Sequence, residues 1–286
     1  MAQTKHEIRA ILAQAGSEPR QRFGQNFMID QNLVRLVADA GNVAPGDLVI
    51  EVGPGTGTLT EELLARGGDV VAVEIDRDLT AALRERFASN ERFKLIEGDA
   101  LAGKHGINQE LKDHLIAAVS RTARPDARPV KLVANLPYNI ASPLVIDLLI
   151  EGVDLLAFTV QKEVADRLRA TAGSDAYGPL TVTAQLLSRV EVLRTLPPQA
   201  FWPPPKIESA LVRMTRDDRL GPGARDFSRF VQLLFSFRRK TLRRALAQAG
   251  YEDAERVLVA RQIDPQHRPE VLTPEQLLAL FRSLEG

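Results

Sequence analysis

The chain has 286 residues, 44% hydrophobic and 26% charged, with no cysteine and with 37 basic side chains balancing 37 acidic ones. That composition excludes a disulfide scaffold, thiolate metal sites and a disordered, highly charged chain, and it leaves room for one large domain with a small appendage. No apolar run nears the ~18 residues of a membrane span, and the opening MAQTKHEIRA lacks the apolar core of a secretory signal. A cytoplasmic protein without membrane contact is therefore expected. His6, His105, His114 and His267 lie far apart, so no metal is expected. Charge is uneven along the chain: residues 195–286 carry 15 basic against 11 acidic side chains, and residues 1–194 carry 22 against 26. The basic end suits a polyanionic partner.

In chain order, apolar β-type runs at Leu48–Val52, Val70–Glu74, Phe93–Glu97, Val130–Ala134 and Leu155–Val160 alternate with amphipathic stretches such as Leu59–Arg66 and Leu79–Phe87. Continuous apolar strands alternating with helices predict an α/β fold with a parallel sheet covered on both faces. The first run leads into VIEVGPGTGTLT, where Gly53, Gly55 and Gly57 shape a tight strand-to-helix turn. Without Cβ atoms, such a turn lets a ligand approach the backbone and the helix N-terminus. Glu74 ends the second run, 21 residues past Gly53, where a carboxylate can accept both hydroxyls of a ribose. Asp99 follows the third run in EGDAL, placed to receive an adenine amino group. These features admit either a nicotinamide cofactor or S-adenosylmethionine; the G-x-G-x-G spacing after an acid tilts toward the methyl donor.

A polar stretch from Gly103 to Pro129 predicts a partly helical insertion ahead of the fourth strand. That strand ends in VANLPYNIASPL, with Asn135, Leu136, Pro137 and Tyr138 at the edge that the glycine loop and both acids share. An exocyclic adenine amine is a poor nucleophile because its lone pair is delocalised into the ring. Acceptors against its hydrogens, the Asn135 side-chain oxygen and the Leu136 carbonyl, favour a pyramidal amine able to attack a methyl group. Pro137 fixes the turn, and Tyr138 can stack on a flipped base. Two further strands, Arg189–Leu193 and Ala210–Thr215, flank the proline-rich PPQAFWPPPKIES. After the linker DDRLGPGA the pattern is helical only, with Phe227, Phe230, Val231, Leu234 and Phe235 spaced as a core face. Arg238, Arg239, Lys240, Arg243 and Arg244 then place five cations in seven residues, suited to phosphates. The expected domains are 1–217 and a helical 218–286.

Taken together, these strings resemble the KsgA-type small-subunit ribosomal RNA adenine dimethyltransferases over nearly the whole chain. The resemblance is carried by FGQNFMID, EVGPGTGTLT with Glu74 and GDAL, NLPYN, QKEVADRL, FWPPPKIESALVRM and LFSFRRKTLRRAL. It implies a Rossmann-like methyltransferase sheet with an N-terminal cofactor-covering segment and a small all-helical C-terminal RNA-binding domain. It implies that Asn26, Met28, Gly53, Gly55, Glu74, Asp99 and Asn135 contact S-adenosylmethionine, with Gln25 nearby. Asn135, Leu136 and Tyr138 would hold the target adenine, with Pro137 fixing the catalytic turn, and Phe201 would cover the base's other face. The implied reaction dimethylates two adjacent adenines in the 3′-terminal hairpin loop of 16S ribosomal RNA. The partner would be an immature small ribosomal subunit, the role its biogenesis, and the enzyme a monomer. Met28 departs from the family's leucine, a tolerable apolar exchange. The rival readings are a macrolide-resistance methyltransferase of large-subunit RNA, an assembly or transcription factor without the chemistry, and a dehydrogenase. NLPYN and FWPPPKIES argue against the first.

Overall fold

The computed structural model describes residues 3–103, 106–119, 128–251 and 254–285. Among these, strands form at β1 (Phe27–Met28), β2 (Leu48–Val52), β3 (Asp69–Glu74), β4 (Phe93–Glu97), β5 (Val130–Asn135), β6 (Leu155–Gln161), β7 (Ser188–Leu196), β8 (Phe201–Trp202) and β9 (Ser209–Arg216). Every expected run falls on a strand, with ends shifted by a residue or two and β7 longer than expected. Seven strands make one sheet in the order β4-β3-β2-β5-β6-β9-β7, while β1 and β8 form a separate antiparallel ribbon. From β4 to β6 all neighbours are parallel, and β9 runs antiparallel to β6. The apolar runs are continuous because the inner strands are covered on both faces: Val49, Ile50, Val71, Leu132, Val133, Leu156 and Phe158 are all buried.

Strand order reverses between β2 and β5, since β3 and β4 lie on one side of β2 and β6 lies beyond β5. Open α/β sheets bind ligands at such a reversal, beyond the carboxyl ends of the strands. The flanking helices start where short acids cap them. Asp30 accepts from the Asn32 N–H ahead of helix Gln31–Ala40, and Asp76 from the Asp78 N–H ahead of helix Arg77–Arg86. Helix Thr58–Ala65, after the glycine loop, has no side-chain cap. In the expected insertion, helix Gln109–Val119 buries Leu111 and Leu115; residues 104–105 (including His105) and 120–127 lie outside the described residues.

The chain forms two compact units, Met1–Ala165 with Glu191–Arg216, and Asp166–Val190 with Asp217–Gly286. The sequence reading assigned 166–190 to the first domain. In the structure, helix Pro179–Leu187 packs against helix Ala224–Ser236, and the Tyr177 hydroxyl donates to the Leu272 carbonyl at 2.7 Å. The apolar face of Pro179–Leu187 is thus covered by elements that come 40 residues later, which local periodicity cannot reveal. Phe227, Phe230, Val231, Leu234 and Phe235 are core residues of this second unit. Among the described residues, no helix is long and apolar enough to cross a membrane.

Candidate active site

A cleft opens at the carboxyl ends of β2, β3 and β5, walled on one side by the segment from Phe23 to Met28. Gln25, Asn26, Met28, Gly53, Gly55, Glu74, Asp99, Asn135 and Pro137 all line it. Leu136, Tyr138 and Phe201 do not border it.

The glycine loop is built for close approach. Gly53 and Gly55 hold φ of 71° and 61°, in the left-handed region. A Cβ on Gly55 would stand 2.9 Å from the Phe27 ring, and one on Gly53 3.2 Å from the Pro137 ring. The loop is therefore wedged between the covering segment and the NLPY turn. It is also clasped from the N-terminus, which the sequence did not announce. The Gln3 side chain, itself buried, accepts from the Thr56 and Thr58 hydroxyls at 2.5 and 2.8 Å and donates to the Thr56 carbonyl at 3.2 Å.

Two buried carboxylates face the cleft. Glu74 accepts from the Gly55 N–H at 3.1 Å and the Asp76 N–H at 2.9 Å. Burial pushes its pKa up to about 7, against the pull of these backbone donors. Glu51, which precedes the loop, accepts from the Thr60 hydroxyl at 2.6 Å, and burial pushes it up to about 8, with Glu74 adding to the rise. Glu51 was not singled out as a site residue in the sequence. Its signal was an acid in the middle of an apolar strand, LVIEV. Asp99 is exposed at the cleft edge, where it accepts from the Leu101 N–H at 2.9 Å.

The covering segment is stapled to the end of β3. Arg20 pairs with Asp76 at 2.7 Å and Asp78 at 2.5 Å, and Gln25 donates to Asp76 at 3.0 Å while accepting from the Arg20 N–H at 2.8 Å. Both ends of the Gln25 amide are thus spent on holding the segment. Asn26 offers its carbonyl to the Asn135 Nδ2 at 2.6 Å, and Asn135 Oδ1 accepts from the Thr159 hydroxyl. Beyond it, Leu136 is buried, and the partly buried Tyr138 is tied through its hydroxyl to Ser209 at 2.6 Å. Burial raises the Tyr138 phenol, partly offset by that bond.

Phe201 is not where the sequence reading put it. Its ring is 2% exposed and packs in the core with Met28, Val34 and Leu211. Pairing of β8 with β1 sets the alternation, so Phe201 points inward and Trp202 is the partly exposed member. Trp202 stacks on Phe27 with ring centres 6.4 Å apart, and the Arg9 guanidinium lies 5.1 Å from its ring centre. In the second unit, Arg238, Arg239 and Lys240 occupy the turn after helix Ala224–Ser236, whereas Arg243 and Arg244 belong to helix Leu242–Gln248. All five are exposed, spread over a turn and a helix start rather than one helix face.

The sequence profile of the ribosomal RNA adenine dimethylase family matches residues 16–285. A ribosomal RNA small subunit methyltransferase A of Moorella thermoacetica is 38% identical over 283 residues, covering 96% of each chain. That of Hahella chejuensis is 44% identical over 262 residues, covering 90% of this chain and 89% of the other. Among solved structures, the 23S rRNA methyltransferase ErmE is similar with a TM-score of 0.60 and 26% identity, over 91% of this chain and all of that one. A dimethyladenosine transferase from Plasmodium falciparum shares the fold with a TM-score of 0.68 and 22% identity, over 91% of this chain and 97% of that one.

Proposed function

Because the chain belongs to the ribosomal RNA adenine dimethylase family, we propose that it dimethylates two adjacent adenines in the 3′-terminal hairpin loop of 16S ribosomal RNA. The enzyme is an S-adenosylmethionine-dependent methyltransferase. Its substrate in this reading is an immature small ribosomal subunit in the cytoplasm, met by a monomer acting in subunit biogenesis.

The residues suit the donor. Glu74, buried at the end of β3, presents carboxylate oxygens fit for a pair of ribose hydroxyls, and Asp99 can accept from an adenine amine. The glycine loop and the uncapped start of helix Thr58–Ala65 allow main-chain approach. When bound, S-adenosylmethionine would supply an electrophilic methyl to the amine nitrogen, with sulfur keeping the electron pair of the broken C–S bond and the amine's proton going to water.

What carries the reading is Asn135, held at both ends of its amide on the rim of the cleft that Glu74 and the glycine loop also line. Its oxygen and the Leu136 carbonyl accept from the amine and turn the nitrogen lone pair out of conjugation. Alignment of this kind supplies much of the rate, and no general base is needed. Tyr138, its ring braced through Ser209, offers a stacking face to the base. The cations at 238–240 and 243–244 take RNA phosphates, giving the second unit (Asp166–Val190 with Asp217–Gly286) the binding role and the first unit the chemistry.

Immature small subunits incubated with labelled donor and mapped by mass spectrometry test this directly. Label is expected on two neighbouring adenines near the 3′ end; label on another nucleotide, or on large-subunit RNA, overturns the assignment. Asn135→Ala is expected to abolish transfer while RNA binding, followed by filter retention, is largely kept. Normal turnover by that variant would remove Asn135 from the chemistry.

A further inference from the structure

We propose that the Thr159 hydroxyl is a positioning group for methyl transfer, fixing which way the Asn135 carboxamide faces and thereby governing both the rate and the passage from one methyl to two. The inference rests on the reading of Asn135 as the residue that holds the target amine.

Thr159 lies on β6 directly across from Asn135 in the parallel register. It is fully buried, and its neighbours Leu156, Ala157, Phe158 and Val160 are fully buried and apolar. Valine has the same shape and would fill that place without a hydroxyl to desolvate, a burden of ~1–3 kcal/mol when unpaired. The fold alone therefore gives no reason for a hydroxyl at this point of the strand. Its bond goes to the site: Oγ1 donates to Asn135 Oδ1.

The opposite end of the same amide decides its orientation. Asn135 Nδ2 donates at 2.6 Å to the Asn26 carbonyl, which can only accept, so the nitrogen edge must face the covering segment. The oxygen edge then faces Thr159, whose hydroxyl must act as donor. Two bonds from two different elements pin the carboxamide plane and leave one Oδ1 lone pair for a ligand. A once-methylated amine has a single hydrogen to offer, so it depends more on that lone pair than an unmethylated amine does. Loosening the amide is therefore expected to slow the second transfer more than the first.

The test compares wild type, Thr159→Val and Thr159→Ser on immature small subunits in single turnover at saturating donor. Thr159→Val is expected to cut the transfer rate about 10- to 100-fold and to accumulate monomethyladenosine. The KM for RNA and the melting temperature should stay near wild type, and Thr159→Ser should restore rate and product ratio. A second readout is free of activity: the side-chain amide signal of Asn135 in a ¹⁵N spectrum, assigned by its loss in Asn135→Ser, should move in Thr159→Val and return in Thr159→Ser. If wild type methylates no adenine, the functional reading fails, while the amide signal still decides whether Thr159 orients Asn135. The proposal is overturned if Thr159→Val keeps the wild-type rate and product ratio, if valine and serine are equally impaired, or if the amide signal does not move.

Discussion

Two carboxylates with raised affinity for protons give the site its pH dependence. Glu51 and Glu74 move up from an ordinary value of 4.5 to about 8 and about 7, chiefly through burial. The folded chain thus binds more protons than the unfolded one over this range. Their contribution to stability is complete below about pH 4.5 and is lost as pH rises through 7 and 8. Thermal melting without ligands should therefore show stability falling across that window, and Glu51→Gln should flatten the fall. Donor affinity should run the other way, strengthening as pH rises through about 7 and Glu74 ionises. Glu74→Gln should remove that trend and weaken donor binding roughly 10- to 100-fold in calorimetry. Glu74 was legible in the sequence because it closes an apolar strand at the right distance from the glycines. Glu51 was not, because an acid inside a strand gives no sign of which edge it faces. Phe201 was misread for a related reason: a two-residue strand has no period, so nothing local says which ring turns inward.

Among the elements, the sheet strands were readable because parallel strands covered on both faces leave unbroken apolar runs. The contacts that brace the cleft were not readable, since they join residues far apart in sequence and use side chains with no pattern of their own. Gln3 reaches across 53 positions to Thr56, and Arg20 across 56 to Asp76. Gln3→Ala tests the first of these ties. It leaves the buried Thr56 and Thr58 hydroxyls without their acceptor, at about 1–3 kcal/mol. The expected result is a lower melting temperature and weaker donor binding, with the sheet's circular dichroism unchanged. An unaltered donor affinity would show that the loop holds its shape without the clasp.

For the molecule as a whole, a formal charge of zero conceals a basic C-terminal part. Neutralising Arg238, Arg239, Arg243 and Arg244 together should weaken RNA binding and lower the slope of log affinity against log salt by ~0.7–0.9 per lost phosphate contact. Donor affinity should stay as it is, because the cleft is lined by residues of the first unit. The acids of that cleft also set when it draws in positive charge. Glu51 holds its proton up to about pH 8 and Glu74 up to about 7. Near neutrality the buried negative charge at the cleft is therefore chiefly that of Glu74, and a cationic guest should be held more firmly the further the medium lies above that point.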